Sequence, residues 1–397
     1  MWRCNSAFGS ARMNEAVSIG PFKQKRDPNR MRNRIHDRNG ARRARTMGAT
    51  TQGGDDQVSA VTPGLVCAHH HLYSELARGM PPPPKVATNF QEILEQVWWR
   101  LDAALDLEML HWSAKLGALE ALESGTTAII DHNETPNAIE GSLSVIADAC
   151  AEVGVRVIPA YGVTDRHGAD GARRGLEENR RFLAEGGTGL VGVHASFTCT
   201  DDTLAAAAAL ADDHDVGVHI HVAEGPGDID APRRLEGLTN DAWLLSHCVH
   251  LADDHDLRGT VLHNPRSNLN NGVGYARPYR FSNPVALGTD GIGANMIESF
   301  RLAYVMHRSE DVTVGPDLAW SWLENGWDLV PAARDDVVTW SYDPMDPWHI
   351  AFTSGIRPVR VEVDGETVYA EGKPTRVDAD EIRAKAREQA VRLHARL

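Results

Sequence analysis

Cysteine is scarce in this chain and poorly placed for cross-linking. Five occur, at positions 4, 67, 150, 199 and 248. Their odd number and the lack of any CxxC pair argue against a disulfide framework and against a cysteine zinc ribbon. A reducing, cytoplasmic setting fits best. Long hydrophobic runs are missing as well: no uncharged apolar stretch approaches the ~20 residues of a membrane-spanning helix. No apolar segment of signal-peptide length, roughly 7 to 15 residues, stands near the N-terminus, and a membrane partner is not expected. Lysine supplies only six of the 40 basic residues. With Asp-rich runs such as Asp212-Asp213 and Asp253-Asp254, that skew suits a salt-adapted surface or a GC-rich genome equally well.

The formal net charge of −15 is unevenly spread. Residues 1–60 carry 12 Lys+Arg against 5 Asp+Glu, and the remainder carries 28 against 50. Nucleic-acid binding depends on Lys and Arg displacing counterions from phosphates, so an acidic body excludes nucleic acid as the expected ligand. Residues 1–57 show no helical or strand periodicity and are rich in Arg, Asn and Gly, which reads as a disordered basic tail.

Beyond the tail a regular alternation begins. Short apolar runs at 65–72, 126–132, 155–163, 190–198, 216–224, 244–251, 260–265 and 284–291 read as eight strands. Helix-period segments lie between many of them: Leu107, Leu110, Ala114, Ala118 and Leu122 recur at three- and four-residue steps, 137–153 and 171–185 read similarly, and Thr200 is placed to cap a helix over 204–211. Eight βα units point to an α/β fold, a (β/α)8 TIM barrel over 58–311. Residues 312–397 read as a small, incomplete accessory β-sandwich domain with a helix at 316–325, a strand at 336–342, a hairpin turning on Asp364-Gly365 and a terminal helix.

The polar residues fall at the strand ends. His69 and His71, His194, His221 with Glu224, His247, His263 and Asp290 all stand where such a barrel places its active site. A single histidine at a strand end is most often a hydrogen-bonded structural residue, but five strand ends in register are not explained that way. Residues i and i+2 of a strand share a face, so His69 and His71 aim together into the barrel mouth while His70 turns to the helices. With a nitrogen from His221 and a carboxylate from Asp290 they would form an N3O site open to water, the pattern of a catalytic metal. His219 shares a face with His221 and is an alternative ligand.

PGLVCAHHHLYSELARGM (63–80), HVAE (221–224), SHCVHL (246–251), HNPRSN (263–268) and LGTDG (287–291) resemble the metal-dependent amidohydrolase superfamily, in its cytosine-deaminase, guanine-deaminase and triazine-hydrolase (chlorohydrolase) branch. NFQEILEQVWWRLDAAL (89–105), DHNETPNAIEGSLSVIADA (131–149), GVHASFT (192–198) and NLNNGVG (268–274) are similar to its SsnA-like aminohydrolases. The resemblance implies metal ligands at His69, His71, His221 and Asp290, an acid/base glutamate at Glu224 and an orienting histidine at His247. It implies hydrolysis of a carbon–nitrogen bond other than a peptide, by deamination of a cyclic amidine or purine- or pyrimidine-like ring. Asp290 would accept a proton from activated water and Glu224 would shuttle one to the ring. The alternatives are a triazine-type chlorohydrolase or aminohydrolase, and a catalytically impaired metal-binding relative.

Dinuclear relatives place a carboxylated lysine on strand four. LVGVHASFT has none, so one divalent ion per chain is expected, zinc before iron. Arg78, Trp98 and His194 are the expected substrate contacts, with Arg78 as anchor for an anionic group, and Tyr73, Trp99 and Arg100 as weaker candidates. His263 is assigned a supporting role, and His111, His214, His255, His307 and His394 a solvated one. The expected partner is a small N-heterocyclic molecule, and a homodimer is left open. The connections after Glu224 and between Val249 and Gly259 are short and the loop before Asn283 lacks a clear helix, so helices five to seven should be trimmed.

Overall fold

The computed structural model describes residues 59–397; the basic tail expected at 1–57 lies outside the described residues. The strands are β1 (Val61–Thr62), β2 (Leu65–His71), β3 (Thr126–Asn133), β4 (Arg156–Val163), β5 (Val191–Ala195), β6 (Val218–Val222), β7 (Leu244–His247), β8 (Thr260–His263), β9 (Val285–Leu287), β10 (Asp290–Gly291), β11 (Val337–Trp340), β12 (Pro358–Val363), β13 (Glu366–Ala370) and β14 (Lys373–Pro374). Strands β2 to β9 pair in sequence order, all parallel, and β10 pairs in parallel with β2. The last barrel strand is thus split at Gly288-Thr289. Its first half pairs with β8 and its second with β2, and Thr289 N–H donates to His69 O across the gap. This closes an eight-stranded ring, as the alternation predicted.

The intervening helices form where the sequence places them. Asp106 caps Leu107–Glu123 by accepting from Met109 N–H, and Thr200 caps Asp201–Asp213 by accepting from Thr203 N–H. Ser142–Val153 and Gly168–Ala184 complete the first half of the ring. The second half is sparse: a four-residue helix, Ala231–Arg234, joins β6 to β7, none joins β7 to β8, and six residues, Pro265–Asn270, follow β8.

Alternate residues of the strands, Val66, Ala68, Ala128, Ile130, Leu244, Leu262 and Ala286, fill the lower barrel. Val330 and Ala333 pack into the same cluster, with Trp327 and Leu329 against it. Trp327 Nε1 also donates to Gly64 O. The boundary expected at 311/312 therefore cuts through packed structure, because residues just beyond it plug the barrel floor.

The accessory part also departs from expectation. Among the described residues it is one antiparallel sheet, β1-β11-β12-β13-β14, and not a sandwich. Its first strand comes from within the range assigned to the barrel. The sheet rests on the turns that end two barrel helices: a Cβ at Gly125 would lie 2.4 Å from the Trp340 ring, and one at Gly154 2.7 Å from Val368. Both glycines have positive φ, so the chain reverses there without a side chain to hold the sheet away. Trp340 is fully buried and its Nε1 donates to Thr62 Oγ1 at 2.8 Å. Trp340→Ala is expected to cost about 3 to 5 kcal/mol, read as a lower chemical-denaturation midpoint with metal content per folded molecule unchanged.

Candidate metal centre and active site

Four donor groups converge at the mouth of the ring. His69 Nε2 and His71 Nε2 each lie 3.0 Å from Asp290 Oδ1, and His221 Nε2 lies 3.3 Å from His71 Nε2. Backbone carbonyls fix the rings: His71 Nδ1 donates to His132 O at 2.5 Å, and His221 Nδ1 donates to His194 O at 2.7 Å. Each imidazole thus turns its Nε2 lone pair inward. Two lone pairs and a carboxylate facing one another in a buried site repel unless a cation lies between them, so these residues fit a divalent ion. His219, the alternative ligand, is one layer lower. Its Nε2 meets His69 Nδ1 at 2.8 Å, so it orients the His69 ring.

The strand ends are bent to deliver these groups. Ala223, His247 and Asp290 all have positive φ, of 46, 72 and 65°. For residues with a Cβ this costs on the order of 1 kcal/mol or more each, and such strain gathers at functional sites. Asp290 Oδ2 accepts from Ser267 Oγ. His247 Nδ1 meets Asn268 Oδ1 at 2.8 Å, leaving Nε2 3.8 Å from Asp290 Oδ1 and 3.6 Å from Glu224 Oε2. Burial pushes the Glu224 carboxyl up to about 7, His247 opposing and Asp290 adding to the shift. That value suits a group that takes and returns protons near neutrality.

A cavity opens above the donors, walled by Phe90, Trp98, Trp99 and Phe197 and edged by Glu134, His194, Glu224 and Asp228. Trp98 and His194 line it as expected, and Tyr73 and Trp99 do too. Arg78 does not. The turn Leu72–Ala77 carries it outward, where its guanidinium binds Glu75 Oε2 and Glu120 Oε1, both at 2.6 Å. Arg78→Ala should leave metal content and KM unaltered. It should lower stability by about 1 to 3 kcal/mol, because the buried Glu75 loses a charged partner; thermal unfolding beside a KM measurement checks this. Arg100 also points away, to Leu397 O. His263 is fully buried, and His307, expected to be solvated, is buried between Tyr279 and Trp322.

The sequence reading passed over His132, Glu134 and Arg166. His132 lies near the end of β3 and Glu134 just beyond it, with the i, i+2 spacing of His69 and His71, which was the available signal. Arg166 Nη2 binds Glu134 Oε2 at 3.1 Å and its guanidinium stacks 4.4 Å from the Trp99 ring.

The profile of the amidohydrolase family matches residues 60–324. The chain belongs to the amidohydrolase family. This amidohydrolase is 29% identical over 384 residues to a 5'-deoxyadenosine deaminase of Methanopyrus kandleri, covering 84% of the chain and 86% of that relative. It is 33% identical over 266 residues to a 5-methylthioadenosine/S-adenosylhomocysteine deaminase of Symbiobacterium thermophilum, covering 60% of the chain and 58% of that relative. In fold it is similar to a zinc-bound adenosine deaminase of Xanthomonas campestris, with TM-score 0.73 and 21% identity over 85% of the chain and 86% of that structure. An atrazine chlorohydrolase of Arthrobacter aurescens, complexed with zinc, gives 0.72 and 19% over 87% and 92%. As expected, the protein is a hydrolase of the amidohydrolase type with a site for a divalent metal. No helix among the described residues is long and apolar enough to cross a membrane.

Proposed function

We propose that this amidohydrolase deaminates a purine-like ring carried on an unphosphorylated nucleoside. The observation that carries this reading is the juxtaposition of Glu224 and His247 with the four donors beneath a flat aromatic wall. A divalent ion held by His69, His71, His221 and Asp290, zinc by preference for this nitrogen-rich donor set, would acidify water and polarise the ring carbon. Asp290 accepts a proton from the attacking water. Glu224 gives its own proton to the ring nitrogen, passes the remaining proton of the attacking oxygen to the amine, which leaves as ammonia as the C=O bond forms, and is restored by the proton held on Asp290. His247, its ring held by Asn268, directs Nε2 at the oxygen that gains charge on the ring carbon.

Four carboxylates line the cavity, those of Glu134, Glu224, Asp228 and Asp290, and none of its described lining residues is Lys or Arg. Among the described residues no lining Lys or Arg is there to pair with a phosphate, whereas a neutral ring with hydroxyl groups needs none. The test is a zinc-loaded preparation assayed for ammonia and chloride on adenosine, 5'-deoxyadenosine, cytosine, guanine, AMP and atrazine. Ammonia from a nucleoside, with AMP slower by roughly tenfold or more, is the expected result. Chloride release alone, or a preference for AMP, overturns the reading.

A further inference from the structure

A second set of donors adjoins the first. The ligand atoms of His71, His132, Glu134 and His221 all lie within 4.8 Å of one another, and all four residues are buried. His132 Nε2 donates to Val193 O at 3.1 Å, so Nδ1 is the ring atom left to bind a cation, and it has no hydrogen-bond partner among the described residues. It faces Glu134 Oε1 at 3.5 Å. A buried ring nitrogen and a carboxylate oxygen so placed call for a cation between them, a proton or a metal ion. The separation is long for a hydrogen bond. It matches two ligands of one ion, since tetrahedral zinc with bonds near 2.1 Å spaces its ligands about 3.4 Å apart. The 3.3 Å between His71 Nε2 and His221 Nε2 fits the same figure. Gly162 leaves room for this ring: a Cβ there would stand 2.5 Å from His132 Cε1.

We propose that His71, His132, Glu134 and His221 form a second lodging for the divalent ion, taken in alternation with the first. Simultaneous filling is excluded because the two sets share the Nε2 atoms of His71 and His221, each with a single lone pair. The Arg166 guanidinium on Glu134 adds to the cost of a second dication. One ion therefore has two positions, one against Asp290 and His69 beside Glu224 and His247, the other against β3. This rests on the donor atoms and not on the deamination reading, and its test needs no substrate.

Asp290→Asn and His69→Ala each remove a donor private to the first position. Purified from zinc-supplemented medium, each is expected to hold about one equivalent of zinc, with anomalous scattering placing the ion beside His132. Adding Glu134→Gln or His132→Ala to either variant should reduce zinc to roughly a tenth of an equivalent or less, with circular dichroism confirming the folded state. If Asp290→Asn and His69→Ala, folded, lose zinc outright, the proposal fails. It fails equally if they keep zinc after the second substitution, because His132 and Glu134 are then a protonated ion pair and no lodging. The two private donors give independent routes should one variant not fold.

Discussion

A metal-loaded Glu224→Gln protein should turn over on the order of 10²- to 10⁴-fold more slowly than the parent, a barrier increase of about 3 to 5 kcal/mol. Glutamine keeps the size of the side chain and can still face Asn271, whose Nδ2 donates to Glu224 Oε1 at 3.4 Å, but it cannot carry a proton. Glu224 is absent from both donor sets, so zinc content should stay at the parental value. The carboxylate is 13% exposed and lines the cavity, which places it against substrate. A carboxylate that only braced its loop would behave otherwise, with stability falling and the rate per folded molecule persisting. Bound zinc and kcat measured on one folded preparation separate the two cases, and near-parental kcat would remove the proton-shuttle role.

His71→Ala should abolish metal binding, with a loss of affinity beyond the roughly 100-fold that removing an outer hydrogen-bond partner costs. His71 belongs to both donor sets, so no alternative position rescues the variant as one is expected to rescue Asp290→Asn. The neighbouring His70 is the control. It points out of the ring, between Thr289 Oγ1 at 2.9 Å and Glu75 Oε1 at 3.0 Å, so His70→Ala should lose stability and keep zinc. Elemental analysis after dialysis against a weak chelator reads both. Full occupancy in His71→Ala would overturn the ligand assignment.

The ring of strands was legible because parallel strands buried on both faces read as short apolar runs, and their polar ends stood out against them. Period-two spacing alone put His69 and His71 on one face. The choice of His221 over His219 rests in the sequence on the His-x-x-Glu spacing to Glu224, and the structure adds depth: both point inward, one layer apart. Arg78 was misplaced because its charge announces a partner without a direction, and the turn after β2 supplies Glu75 and Glu120 outside the cavity. His132 and Glu134 repeat the spacing of His69 and His71, but Glu134 stands just past the strand, where alternation no longer fixes which face a side chain takes. The two-residue strand Val61–Thr62 is too short to show periodicity, so its place in the accessory sheet emerges only from pairing with β11.

The split last strand sets an order on the making of this protein. A chain emerging from the ribosome presents His69 and His71 after its first barrel strand, and His221 arrives some 150 residues later. Asp290, 221 residues beyond His69, completes the set from the segment that also shuts the ring. A nascent or cleaved chain ending before β10 could hold the β3 donors and three histidines, yet lacks the aspartate. The full donor set therefore cannot assemble until β10 has been made and has paired with β2.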